Sequence, residues 1–115
     1  MTSLDINGTL YVQDTYMIPT RGIEFEWDEG KERQNRRKHR VSFAEARTVF
    51  LDENALRFCD PDHSSDEDRF LMLGISVHLR VLVVCHCFRV DETTIRIISA
   101  RKADREEESH YWNER

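Results

Sequence analysis

Two residues of this 115-residue chain stand out as chemically capable in otherwise inert surroundings: a histidine and an arginine, each set in an apolar run. His86 lies in the run 80–88, and its unperturbed pKa of about 6.5 lets it give or take a proton near neutral pH. Strand alternation puts it on the same side as Leu82, Val84 and Phe88, with Cys85 and Cys87 on the other. In that company it is either a hydrogen-bonded core residue or a proton carrier. Arg96 interrupts Ile95, Ile97 and Ile98, so its charge must reach solvent, a carboxylate or a ligand phosphate. Its planar fork can hold two phosphate oxygens at once while staying charged. Ser99, Arg101 and Lys102 follow, and either extend an anion path or form an ordinary charged surface. Cys85-His86-Cys87 does not make a zinc site, because alternation sends the thiols and the imidazole to opposite faces. No metal and no cofactor are expected.

The elements that must position these residues are readable from periodicity. Ile23, Phe25 and Trp27 alternate with Glu24 and Glu26, the pattern of a half-buried strand, and Asp28 is placed to cap a helix over Glu29–His39. That helix contains no large apolar residue, so it presents a charged face to solvent or a partner. Lys38 and His39 close it, where the helix dipole favours cations. Ser42 and Glu45 form a capping box for a second helix, on which Phe43, Ala46 and Phe50 share a core-facing side. The segments 55–59, 69–76, 80–88 and 93–100 read as strands of an antiparallel meander, with a polar loop over 62–68. A last helix over 103–112 carries Tyr111 beside Trp112, a pair that either packs or offers a ring for stacking. The expectation is an α+β fold, a small antiparallel twisted sheet with its helices packed on one face. Residues 1–22, with two of the four glycines and no sustained period, form an N-terminal extension to a domain over 23–115.

Composition narrows the setting. With 39% apolar and 34% charged residues, the chain suits one folded domain rather than two. It has neither a membrane-spanning apolar run nor a secretory pattern, and its three cysteines read as reduced thiols, so a cytoplasmic protein is expected. The net charge of −5 conceals polarisation. Lys31, Arg33, Arg36, Arg37, Lys38, Arg40 and Arg47 form a basic stretch, residues 52–68 are mostly acidic, and a second basic patch includes Arg96, Arg101, Lys102 and Arg105. Such runs either line a solvated surface or meet an anionic partner.

Several stretches together resemble the BrnT family of toxins from bacterial type II toxin–antitoxin pairs. Phe25-Glu26-Trp27-Asp28-Glu29, then Lys31, Asn35, Lys38-His39 and Val41-Ser42-Phe43-Ala44-Glu45-Ala46, are similar to its opening block. Arg69-Phe70, Gly74 and Ser76 resemble its middle strand, and Leu82-Val83-Val84, His86, Ile95 to Lys102 and Tyr111 its closing elements. The glycine usual after Lys-His is Arg40 here, and Gly30, Gln34 and Arg37 stand where the family has residues that help dock the first helix. The resemblance implies a RelE-like fold and an endoribonuclease that cleaves RNA without metal. It further implies a BrnA-like antitoxin with a ribbon-helix-helix end, through which alone operator DNA would be contacted.

For RNA the chemistry is compact, since the 2′-hydroxyl is itself the nucleophile. The protein must remove its proton, assist the departing 5′ oxygen and neutralise the phosphorane. On this reading His86, Arg96, Lys38, His39 and Arg101 carry catalysis, while Lys102, Ser99, Arg37 and Tyr111 bind RNA. The alternative is a degenerate toxin that keeps the fold and acts with its antitoxin as co-repressor. The enzymatic version requires His86 and Arg96 to meet around one scissile linkage; placement on opposite sides of the sheet would undo it.

Overall fold

A computed structural model describes residues 23–60, 69–89 and 93–113 in full, and the backbone of residues 2–4, 9–12 and 15–19. The expected loop over 62–68 lies outside the described residues. Near the start, β1 (Thr2–Leu4), β2 (Thr9–Val12) and β3 (Thr15–Pro19) pair antiparallel in sequence order as a sheet of their own.

The main sheet has five strands: β4 (Glu24–Glu26), β5 (Leu56–Cys59), β6 (Arg69–Ile75), β7 (Val81–Phe88) and β8 (Thr94–Lys102), in spatial order β4-β8-β7-β6-β5. The last four strands form the expected antiparallel meander. The sheet is nevertheless mixed, because β4 runs parallel to β8, with Phe25 opposite Ile95 and Glu26 opposite Arg96. Between Cys85 and His86 the β7–β8 register shifts: Cys85 faces Ser99 and His86 faces Ile97, leaving Ile98 as an extra residue.

Helix α1 (Glu29–His39) begins where Asp28 accepts the Lys31 amide at 2.8 Å. It ends at Arg40, which takes a left-handed φ of 61°. That conformation explains the glycine of the resembled family, since a side chain there is strained. Lacking large apolar residues, α1 docks through polar ones. The Asn35 amide donates to the Val41 and Ala100 carbonyls at 2.9 and 2.8 Å and accepts from the Ala100 amide at 3.0 Å. Buried Glu32 accepts from the Phe43 amide at 3.3 Å and pairs with Arg36 at 3.1 Å. Such a network holds because nearly every buried polar atom in it is satisfied.

Helix α2 (Phe43–Thr48) opens on Ser42, whose hydroxyl accepts the Glu45 amide, and continues as a 3₁₀ turn over Val49–Leu51. Phe43, Ala46, Val49 and Phe50 pack on Leu82, Val84, Ile95, Ile97 and Ala100, forming the principal core. Each such large side chain contributes about 1.5–3 kcal/mol by leaving water.

Helix α3 (Arg105–Asn113) differs from expectation. It packs on the opposite face, where Tyr111 joins Leu73, Val81 and Val83 in a second apolar cluster. The Ala103 amide donates to the Val81 carbonyl as the chain leaves β8, turning it across the far end of that face. The other end of the face carries no helix among the described residues. None of the described helices is long and apolar enough to cross a membrane.

Candidate functional site

The end of this face that carries no helix among the described residues holds a cluster of cations. In antiparallel register Cys87 of β7 lies opposite Arg69 of β6 on one side and Arg96 of β8 on the other, so all three side chains share a face. Arg89 follows from the end of β7, and Lys31 reaches in from the first turn of α1. Lys31, Arg69, Arg89 and Arg96 line a cleft of about 360 Å³ floored by Cys87 and Ile98. The Glu26 carboxylate links two of them, accepting from Arg96 Nη1 at 3.0 Å and lying 3.5 Å from Arg89 Nε. The gathering of four cations around the bridging Glu26 carboxylate suits this cleft to a polyanion. Arginine suits it, because a guanidinium binds phosphate oxygens in pairs and stays charged.

Arg96 thus sits in the cleft, but His86 does not accompany it. His86 faces Ile97 on the other side of the sheet, fully buried against the rings of Phe50, Phe70 and Phe88. Its Nδ1 donates to the Val84 carbonyl at 3.2 Å, while Nε2 has no partner. Burial pulls its pKa down to about 4, against the smaller opposing pull of the Val84 carbonyl. The imidazole is neutral at pH 7 and has no path to a ligand held by Arg96. The arrangement required of this pair is therefore absent, and His86 falls on the core side of the alternatives left open by its strand.

The remaining expected residues scatter. Arg101 shares Arg96's face but is clamped on α3 by a two-pronged pair with Glu107, both contacts at 2.8 Å. That pairing holds the Glu107 carboxyl below the usual range and raises the guanidinium further. Tyr111 is buried, with 1% of its surface exposed, and its hydroxyl donates to Asp52 at 2.6 Å, so it packs and is closed to stacking. Lys38 and His39 end α1 two turns beyond Lys31, away from the cleft, with Arg37 exposed beside them. Ser99 is exposed on the cleft's own face, opposite Cys85, whereas Lys102 pairs with Leu82 and belongs to the helix-covered side.

Cys85 and Cys87 do lie on the face opposite His86, and no group of three or more histidine, cysteine or acidic side chains fit to hold a metal occurs among the described residues. The Cys85 thiol, pushed up to about 11 by burial and by Asp60, stays protonated. Sequence reasoning missed Arg69, Arg89, Lys31 and Glu26 as site residues. The available signal was the alternation itself: Arg69 is in phase with Leu71 and Leu73, and Arg96 is out of phase with the core residues Ile95 and Ile97.

Comparisons with known proteins bear on the fold and the family. A comparison with curated proteins gives no match. Among solved structures, the chain is similar to the ribonuclease toxin BrnT of Brucella abortus, determined at 1.1 Å, with 25% sequence identity and a TM-score of 0.56. The similarity covers 72% of this chain and 99% of that one. A family model described as the ribonuclease toxin BrnT of type II toxin–antitoxin systems matches residues 27–107, which takes in every element from α1 to the start of α3. With that match spanning most of its length, the chain belongs to the BrnT family of ribonuclease toxins.

Proposed function

We propose that this chain is a metal-independent endoribonuclease whose active site is the cationic cleft around Arg96. The observation that carries the reading is the convergence of Lys31, Arg69, Arg89 and Arg96 on one cleft of about 360 Å³. As the 2′-hydroxyl attacks, charge accumulates on the non-bridging phosphate oxygens, and arginines fixed on neighbouring strands stabilise it without reorganising. Glu26, oriented by its contact with Arg96, is a carboxylate within the cluster that can take the 2′ proton. RNA supplies its own nucleophile, so the scheme needs no cofactor. His86 takes no part in it, and Arg101 serves to hold α3. Ser99 stands along the same face as a contact for the RNA backbone.

A BrnA-like ribbon-helix-helix antitoxin neutralises the enzyme in the cytoplasm, and operator DNA is reached only through that partner. A second reading, a degenerate toxin acting as co-repressor, is favoured by one observation. Among the described residues the cleft lining holds no histidine; of the two histidines expected to act, His86 is sealed behind the sheet and His39 lies at the far end of α1.

Incubating the partner-free protein with mixed RNA in EDTA and mapping new ends separates the two. Defined cuts with cyclic phosphate ends are expected, lost at least about 100-fold in Arg96→Ala and in Arg69→Ala, a size typical of removing one transition-state donor. Intact RNA from a folded, antitoxin-binding protein would leave the co-repressor reading.

A further inference from the structure

The cationic cleft has a neighbour on the same face. Beside α3 lies a groove of about 300 Å³ lined by Phe58, Leu71, Leu73 and Val83, with Glu106 and His110 on its rim. From Arg69 to Leu71 along β6, and from Cys87 to Cys85 along β7, the step is two residues, about 7 Å. A phosphate on Arg69 and Arg96 would therefore place the adjoining nucleoside over this groove.

Three features describe what the groove accepts. Phe58 is 39% exposed, a costly position for an aromatic ring in water, and it leans toward the His110 ring with centroids 5.7 Å apart. Such a pair offers a platform on which a planar base can stack. Along the face, four cations gather at the Arg96 end around Glu26, the Asp60 carboxylate lies beside Cys85 on the step between, and Glu106 and Glu107 stand at the α3 end, so a phosphate is drawn to the Arg96 end and repelled from the other. A nucleotide is thereby oriented, phosphate toward β4 and base toward α3. Finally, Glu107 is occupied by Arg101, whereas Glu106 is exposed and has no hydrogen-bond or ion-pair partner among the described residues. A carboxylate only accepts hydrogen bonds, and guanine alone among the four bases presents two adjacent N–H donors, N1 and N2, on its Watson–Crick edge. Adenine and cytosine put an acceptor beside their single amino group, which a carboxylate repels.

We infer that this groove is a base-recognition subsite for a guanine adjoining the phosphate held by Arg96, with Phe58 as its stacking platform and Glu106 as its specificity-determining acceptor. The inference rests on the nuclease reading of the cleft.

Titration of the full chain, monitored by amide NMR, tests it using guanosine 3′- and 5′-monophosphates, their adenosine, cytidine and uridine counterparts, guanosine itself and inorganic phosphate. Guanosine monophosphates are expected to bind about tenfold or more tighter than the others, the scale of one well-made two-pronged base contact. They should shift the amides of Phe58, Leu71 and His110 together with those of Arg69 and Arg96. Glu106→Gln, at an exposed position, should erase the preference and leave phosphate binding at Arg69 and Arg96 unchanged. Phe58→Ala should weaken all four nucleotides. Equal affinities, with shifts confined to the arginines, overturn the subsite and leave the cleft standing. Guanosine binding the groove while phosphate ignores the arginines overturns the cleft instead, and silence from every probe overturns both.

Discussion

His86 makes the stability of this protein depend on acidity in a way that one substitution should remove. Its Nδ1–H is spent on the Val84 carbonyl, its Nε2 is orphaned, and three aromatic rings exclude water, so the charged form is disfavoured in the folded state and its pKa falls to about 4 from 6.5. Above pH 6.5 the imidazole is neutral whether the chain is folded or not, and the shift has no effect. As pH falls through the window from 6.5 to 4, the unfolded chain binds a proton that the folded one refuses, and stability drops by about 1.4 kcal/mol per unit. Integrated to pH 4, the loss is about 3 kcal/mol, a large share of what a domain of this size holds. The measurement is urea denaturation at half-unit steps from pH 7.5 to 4, for the wild type and His86→Leu at equal ionic strength. Carboxylates titrate alike in both proteins, so the difference between the two curves isolates residue 86. The variant should gain about 3 kcal/mol on the wild type between pH 7 and pH 4. Parallel curves over that window would refute the account of a sealed, neutral imidazole.

Two further substitutions test backbone geometry. Arg40→Gly should raise stability by up to about 1 kcal/mol in a denaturant titration, because the residue closes α1 at φ 61° and the carbonyl that accepts from Arg80 is kept. Gly74→Ala should lower the thermal midpoint with a cost of about 1–3 kcal/mol, since its new methyl would lie 2.9 Å from Val49 Cγ1 and 3.0 Å from Ala55 Cβ.

The local signals in the sequence were faithful where a single element decides the outcome. Asp28 as a cap, the extent of α1, Ser42 as the cap of α2 and the meander of β5 to β8 all follow from spacing and are present, whereas the Glu45 half of the expected capping box is not, its carboxylate being held by Ser76 and Arg80. The placing of His86 among Leu82, Val84 and Phe88 was also correct. Its conflict with Arg96 was legible too. An arginine out of phase with the buried Ile95 and Ile97 must face away from the core side, which a histidine in phase with core residues cannot do. What periodicity could not supply is pairing between distant segments. The parallel join of β4 to β8, the register that sets Arg69 and Arg96 on either side of Cys87, and the crossing of α3 to the second face depend on contacts between distant parts of the chain. Arg89 and Arg96 meet across one hairpin, but Lys31 and Arg69 join them only through such long-range pairing, and Arg96 alone of the four cations is conspicuous in the sequence.

The way α1 is attached bears on the cleft at its foot. No greasy side chain pins this helix; a lone carboxamide clasping Val41 and Ala100 secures its middle, and water competes for that kind of grip far better than for an apolar seam. Lys31 travels with the helix. The potential felt by an incoming polyanion is consequently set in part by a clasp on the β8 backbone well away from the cleft, and fraying of one small helix would dim that potential without disturbing the strand-borne arginines.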